Sequence, residues 1–330
     1  MITAFLSLFA AGTLMGENLP AQTPHVMPWN EGILLEATGI PEKNELNIAP
    51  VISAKSAIVV DLKNGLILYE KNIHEPLPIA SLTKLMTTVI ILEENDPKEV
   101  ATISKNVVAT PGSKAWLAEG EKITVENLLS AALIASANDA AVALAEHNSE
   151  NEEEFVKKMN RRVDELGLIS THFINATGLD GDGEEMETDN EENGDSNVNN
   201  VTQEQTQEEK NKEAKLLSGN YSTAYDLALL GRYAFGKSFI RRTAVKEELE
   251  VASTNEKFIH KLKNTNALLK SYLKVLGLKT GTTDEAGECL ISVIENDDGH
   301  DILTVVLNSP SRYQETKVLA DWTFRTYTWK

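Results

Sequence analysis

Ile79-Ala80-Ser81-Leu82-Thr83-Lys84-Leu85-Met86-Thr87-Thr88-Val89-Ile90-Ile91-Leu92 is the stretch on which the reading of this chain turns. It has the length of a helix, follows Pro76 and Pro78, and is apolar nearly all round, which predicts a helix buried at the centre of a domain. Its one charged residue is Lys84, and a lysine is almost never buried unless it is paired or functional. Ser81 lies three residues earlier, on the same helix face. A serine hydroxyl is a weak nucleophile until a neighbouring base takes its proton. A lysine crowded by cations or stripped of water can lose its charge and become that base. Bringing a lysine from ~10.4 to near 7 costs about 4–5 kcal/mol, so something nearby must impose the shift. Ser-x-x-Lys alone does not decide the matter. Ser271-Tyr272-Leu273-Lys274 has the same pattern, and a capping serine with a lysine that snorkels to the surface satisfies it equally.

Outward from this stretch, the chain divides by hydrophobic period. Ser56–Asp61 and Leu66–Glu70 are aliphatic runs around Lys63-Asn64-Gly65, a hairpin signal, and Cys289–Glu295 and Ile302–Asn308 flank Asp297-Asp298-Gly299 in the same way. Between the hairpins the pattern is helical: Val125–Ala135, Asp139–Glu146, Glu152–Leu166 and Thr223–Phe235, with a last helix from about Arg312 to Tyr327. The expected fold is therefore α+β. An antiparallel sheet built from both chain ends (about 51–78 and 256–330) is flanked by helices, a helical part (about 79–255) is inserted, and the active site lies between them.

The chain has 330 residues, 42% of them hydrophobic, enough for a sizeable core. Its net charge of −19 excludes a general nucleic-acid binder, which needs clustered Lys and Arg. A single cysteine, Cys289, excludes an internal disulfide framework and a multi-cysteine metal site; it is expected to be a buried structural thiol. Residues 180–215 hold thirteen acidic residues against three lysines and lack a hydrophobic period, which predicts a disordered surface insert. Within it, Asp189-Asn190-Glu191-Glu192-Asn193-Gly194 resembles half a calcium loop, but Asn200 stands where the closing Glu belongs, so no metal site is assigned. Gly194-Asp195-Ser196 has no strand before it and carries no weight as a hydrolase motif. Ile2–Met15 is apolar and uncharged and suits an export signal, though no Lys or Arg precedes it. Residues 22–51 read as a linker without firm structure.

Two more elements bear on chemistry. Ser136-Ala137-Asn138 sits at a break between two strongly apolar stretches, where buried polar side chains must find partners; four other Ser-x-Asn strings lack that context. Lys279-Thr280-Gly281-Thr282 follows the predicted strand Tyr272–Leu278 and combines a cation, hydroxyls and a glycine, suited to gripping an anion at close backbone approach. Each alone reads as well as a capped turn or a polar strand end. In combination they do not: Ser-x-x-Lys, Ser-x-Asn and Lys-Thr-Gly occur in that order, 55 and 143 residues apart. That set is the signature of penicillin-binding proteins and serine β-lactamases.

From about Ser53 to Arg325 the sequence resembles the serine-type D-alanyl-D-alanine carboxypeptidases, the low-molecular-mass penicillin-binding proteins of S11 type. Thr171-His172-Phe173-Ile174-Asn175, Tyr221-Ser222-Thr223-Ala224-Tyr225-Asp226 and Asn264-Thr265-Asn266 match further segments of that family. The resemblance implies that Ser81 attacks the bond between two D-alanines of a peptidoglycan stem peptide and that Lys84 takes its proton. It implies that Ser136 relays a proton while in reach of both lysines, and that Asn138 holds the substrate amide. Lys279, Thr280, Gly281 and Thr282, with Arg312, would bind the terminal carboxylate, and the N–H groups of Ser81 and Thr282 would form an oxyanion hole. Lys279 would also depress the Lys84 pKa. No cofactor is implied, β-lactam antibiotics are expected as covalent inhibitors, and the enzyme would act outside the cytoplasm. Many relatives continue into a β-rich domain and a membrane anchor beyond the position of Lys330, so any membrane tether here is expected through an uncleaved N-terminal segment.

Three alternatives share these residues: a D,D-endopeptidase on crosslinks, a class A-like β-lactamase, and an inactive binding protein of the same fold. The β-lactamase needs a glutamate-directed water, for which Glu165 in Glu165-Leu166-Gly167-Leu168-Ile169 is the nearest candidate. No Gly-x-Ser-x-Gly elbow or His-Glu-x-x-His helix is present, and the six histidines are scattered.

Overall fold

The computed structural model describes residues 27, 40–181 and 218–330. The apolar N-terminal stretch, most of the acidic insert and the two motif-like strings within it lie outside the described residues.

Five strands form one antiparallel sheet: β1 (Ser56–Asp61), β2 (Ile67–Lys71), β3 (Lys274–Thr283), β4 (Gly287–Glu295) and β5 (Asp301–Ser309). Their order is β3-β4-β5-β1-β2, so the two ends of the chain meet where β5 pairs with β1. The predicted hairpins are both present. Asp61 accepts hydrogen bonds from the Lys63 and Asn64 amides, and Gly65 takes the left-handed φ of 77° that closes the first turn. All six residues of β1 are buried, because both sheet faces are covered, which explains why that strand reads as an unbroken apolar run. Its side chains alternate: Ile58 and Val60 join the larger core under the helices, Ala57 and Val59 the smaller core under the last helix.

The helices are α1 (Lys84–Glu94), α2 (Lys105–Ala109), α3 (Val125–Ile134), α4 (Asn138–Asn148), α5 (Glu152–Leu166), α6 (Ala224–Gly236), α7 (Ser238–Ala244) and α8 (Arg312–Thr326). Helix α1 is buried over eight consecutive residues and packs against α3, α4, α5 and α6, as its all-round apolar sequence requires. By contrast α5 buries only Phe155, Met159 and Val163, one stripe at every fourth residue, and stops at Gly167 in the left-handed conformation. No described helix is long and apolar enough to cross a membrane.

Strand β3 runs through Thr283 and carries the whole Lys-Thr-Gly triplet on a strand, in register with β4. Two expectations need correcting. The helix expected from Ile79 begins instead as a 3-10 turn, Ala80–Thr83, entered through Ala80 at φ 48°. The supposed linker is tied down near its end, where Glu42–Lys43 pairs with Tyr327–Thr328.

Candidate active site

The 3-10 turn before α1 sets the geometry of the first motif. Residues three apart eclipse one another in such a turn, which places the Lys84 Nζ 2.9 Å from the Ser81 Oγ. Lys84 is completely buried. Its other two contacts are the Asn138 Oδ1 and the Thr177 carbonyl oxygen, each at 2.6 Å. Both atoms can only accept, so they take two N–H groups of the amine. The third position of the amine meets the Ser81 Oγ: an ammonium donates to it, and once that proton is lost the lone pair faces the hydroxyl. Burial, with a further push from Lys279, holds the Lys84 amine well below its ordinary value, and the Asp139 carboxylate acts weakly the other way. The second cation is thus a contributor and water exclusion the leading cause, the reverse of the emphasis the sequence suggested.

Asn138 opens α4 at the second motif. Its Nδ2 donates to the Pro111 carbonyl at 2.8 Å, which fixes the amide orientation so that the oxygen meets Lys84. Ser136 stands just before, at φ 55°, a strained conformation held by the surrounding chain. Its Oγ accepts from the Lys279 Nζ at 2.8 Å. Of the two lysines Ser136 was expected to reach, Lys279 is hydrogen-bonded to it, while the three hydrogen bonds of Lys84 go to Ser81, Asn138 and Thr177.

Strand β3 supplies the opposite wall. Lys279 is buried, donates also to the Thr280 carbonyl at 2.9 Å, and is brought down to about 7 by burial and by Arg312. From the start of α8, Arg312 donates to the Gly281 carbonyl at 2.7 Å and to the Thr282 hydroxyl. Thr280 bonds through its hydroxyl to Thr265 at 2.6 Å and shares its strand face with Thr282. At Gly281 a Cβ would stand 2.9 Å from the Ile79 carbonyl and 3.1 Å from the Ser81 amide, so a glycine lets β3 run against the nucleophile turn.

Sequence reasoning missed the loop from Asn175 to Asp180. Asn175 Oδ1 accepts from the Thr177 and Gly178 amides, and Asn220 Nδ2 links that loop to Thr83 at 2.9 Å. Gly178 passes so close to the nucleophile turn that a Cβ would fall 1.9 Å from the Ala80 carbonyl. This packing delivers the Thr177 carbonyl to Lys84. A backbone oxygen leaves no side-chain signature, which is why no motif announced it. Asp139 was also unassigned: buried, it accepts from the Ala115, Trp116, Leu117 and Ala140 amides.

Other candidates fall outside the cleft. Glu165 pairs with Arg162 at 2.6 Å on the exposed side of α5, and Lys274 pairs with Glu295. Cys289 is buried opposite Gly281, its thiol pushed up to about 11 by burial, which keeps it protonated and inert. Among the described residues no cluster of His, Cys, Asp or Glu could hold a metal ion.

Comparison with known proteins agrees with the geometry. The family model described as D-alanyl-D-alanine carboxypeptidase, peptidase S11, matches residues 43–311. The D-alanyl-D-alanine carboxypeptidase DacF of Bacillus subtilis is 35% identical over 282 residues, 83% of this chain and 63% of that one. A D-alanyl-D-alanine endopeptidase of Pseudomonas aeruginosa is 29% identical over 254 residues, covering 76% of this chain and 70% of that one. The solved penicillin-binding protein D2 of Listeria monocytogenes, in its ampicillin-bound form, superposes with a TM-score of 0.65 at 30% identity, over 84% of this chain and 100% of that one. This chain therefore spans just under two thirds of the length of its curated carboxypeptidase relative, while the family match covers most of its own. The chain belongs to the S11 family of D-alanyl-D-alanine carboxypeptidases.

Proposed function

We propose that this protein removes the terminal D-alanine from peptidoglycan stem pentapeptides through an acyl-enzyme on Ser81. The observation that carries the reading is the amine of Lys84, buried and held by two pure acceptors with its third position 2.9 Å from the Ser81 hydroxyl. Lys84 takes the serine proton as Ser81 Oγ attacks the carbonyl between the two D-alanines. The amides of Ser81 and Thr282 receive the developing oxyanion, a contribution of ~3–4 kcal/mol per donor in comparable sites. Ser136, hydrogen-bonded to Lys279, passes a proton to the leaving nitrogen, and water then releases the acyl group.

The departing residue carries a carboxylate, and Lys279, the Thr282 hydroxyl and Arg312 form the cationic wall that receives it. Thr280, on the same strand face as Thr282 and bonded to Thr265, belongs to that wall. Asn138 orients Lys84 with its oxygen; its Nδ2 carries a second N–H beyond the one given to Pro111, and this N–H is available to a substrate carbonyl. A β-lactam presents a strained amide and a carboxylate in the same relation and acylates Ser81 in the same way. The protein works in the cell envelope, where its substrate is. A second reading, cleavage of crosslinks, uses the same residues and is favoured by the likeness to a relative named as an endopeptidase.

Incubation with a stem pentapeptide and with crosslinked dimers separates the two, by release of free D-alanine or by conversion of dimers to monomers. Labelling with ampicillin followed by peptide mapping is expected to place the adduct on Ser81; an adduct elsewhere, or D-alanine release that survives Ser81→Ala, overturns the proposal.

A further inference from the structure

The loop from Pro111 to Ala118 is fixed with more buried polar contacts than a connection between helices needs. Asn138 donates from its backbone amide to the Ser113 carbonyl at 2.7 Å and from its side chain to the Pro111 carbonyl. The buried Asp139 carboxylate receives three successive amides, Ala115, Trp116 and Leu117, at 2.9, 2.9 and 3.2 Å. From the other side, the buried His260 ring contacts the Ala115 carbonyl at 2.9 Å through Nδ1 and Glu121 at 2.7 Å through Nε2, while Glu121 accepts from the Ala118 amide.

What this framework holds is Trp116. Its φ is 64°, a left-handed conformation that a bulky residue rarely adopts, and its side chain is 79% exposed. Lys114 braces the indole, its ammonium 5.9 Å from the ring centroid and bonded to the Val108 carbonyl. A strained backbone over-determined by its surroundings, presenting the largest apolar side chain to water on a loop bonded to Asn138, is a feature of ligand contacts rather than of packing. The position also selects a side of the substrate. The cationic wall of Lys279 and Arg312 belongs to strand β3 and α8, whereas the loop that carries Trp116 is bonded to Asn138 and Asp139 at the start of α4. The departing carboxylate takes the first wall and the acyl half of the substrate is left with the second.

We propose that Trp116 determines specificity by receiving an apolar or aromatic substituent on the acyl side of the bond that Ser81 attacks. The inference rests on the acyl-transfer reading above and names a part of its substrate.

The test compares the rates at which ampicillin, which bears an aromatic acyl side chain, and 6-aminopenicillanic acid, which lacks one, acylate the full chain, read by intact mass. Trp116→Ala is expected to lower the ampicillin to 6-aminopenicillanic acid rate ratio by about tenfold, the scale of one lost aromatic contact. Trp116→Phe should restore the ratio to within about threefold. Because the side chain is exposed, truncation removes no core, and a melting curve on each variant checks this. An unchanged ratio in Trp116→Ala overturns the proposal, as does an equal fall for both compounds. D-alanine release by the wild-type chain is followed in parallel. Its absence, with the Trp116-dependent ratio intact, overturns the hydrolytic reading and supports the contact.

Discussion

Two serine–lysine pairs face each other across one cleft, and the surroundings of each lysine, not the pairing, set them apart. Ser81 and Lys84 stand 2.9 Å apart, Ser136 and Lys279 2.8 Å. Lys84 has no solvent exposure, which favours its neutral form, and two acceptor oxygens hold the amine so that its third position meets the Ser81 hydroxyl. Lys279 lies beside Arg312 in a group of cations and hydroxyls and titrates near neutrality, at about 7. An arriving carboxylate would stabilise its ammonium form. On the proposed reaction the same two residue types serve as a base in one place and an anion receptor in the other.

The largest effects should fall on the first pair. Ser81→Ala is expected to lower D-alanine release by on the order of 10⁴-fold or more, because the covalent route is lost. Lys84→Met should slow single-turnover acylation by ampicillin by ~10²–10⁴-fold, the usual range for a general base. If Lys84→Met and Lys279→Met slowed acylation equally and with the same dependence on ligand charge, the distinction between the pairs would fail.

The pairs should also separate with pH. Lys84 reacts as the neutral amine, so the rate rises with pH as its proton leaves, along a limb lying well below the ordinary lysine value. Lys279 binds carboxylate as the ammonium, so kcat/KM for carboxylate ligands should fall as pH rises through about 7. A substrate whose C-terminal carboxylate is amidated should lose that second limb. Asp139 sharpens the point. Its negative charge raises the Lys84 pKa, so Asp139→Asn should move the acid limb to lower pH. The same substitution weakens the grip on three loop amides, lowering stability by ~2 kcal/mol in a denaturant titration.

The smallest effect is steric. Gly281→Ala places a methyl 2.9 Å from the Ile79 carbonyl and must push β3 and the nucleophile turn apart. Acylation should slow by about tenfold through misplaced reacting atoms. A melting temperature near that of the wild type would separate this from unfolding.

How much of this was legible in the sequence follows from the kind of signal each feature leaves. Buried strands and helices write themselves as hydrophobic period, so β1, β2, β4, β5 and the amphipathic α5 were readable within a residue or two. The three motifs were readable because chemistry fixes side-chain types. The 3-10 entry to α1 was not, since Ala80 at φ 48° has no sequence signature; the clash a Cβ at Gly178 would make with its carbonyl becomes visible only in three dimensions. Likewise the third contact of Lys84 is a backbone oxygen, and any residue at position 177 could supply one. Lys279-Thr280-Gly281 was read on a strand only through the chemistry of its side chains, because its polar composition matches a strand end equally well.

The account stands on the protonation state of Lys84, which can be observed without any substrate. The chain labelled with ¹³C at lysine Cε, with the Lys84 signal assigned by its loss in Lys84→Arg, reports that titration in the resting protein by NMR. A signal that titrates well below 10.5 is the expected result. A signal that stays that of an ammonium up to the ordinary lysine range would leave Ser81 without its base and contradict the mechanism.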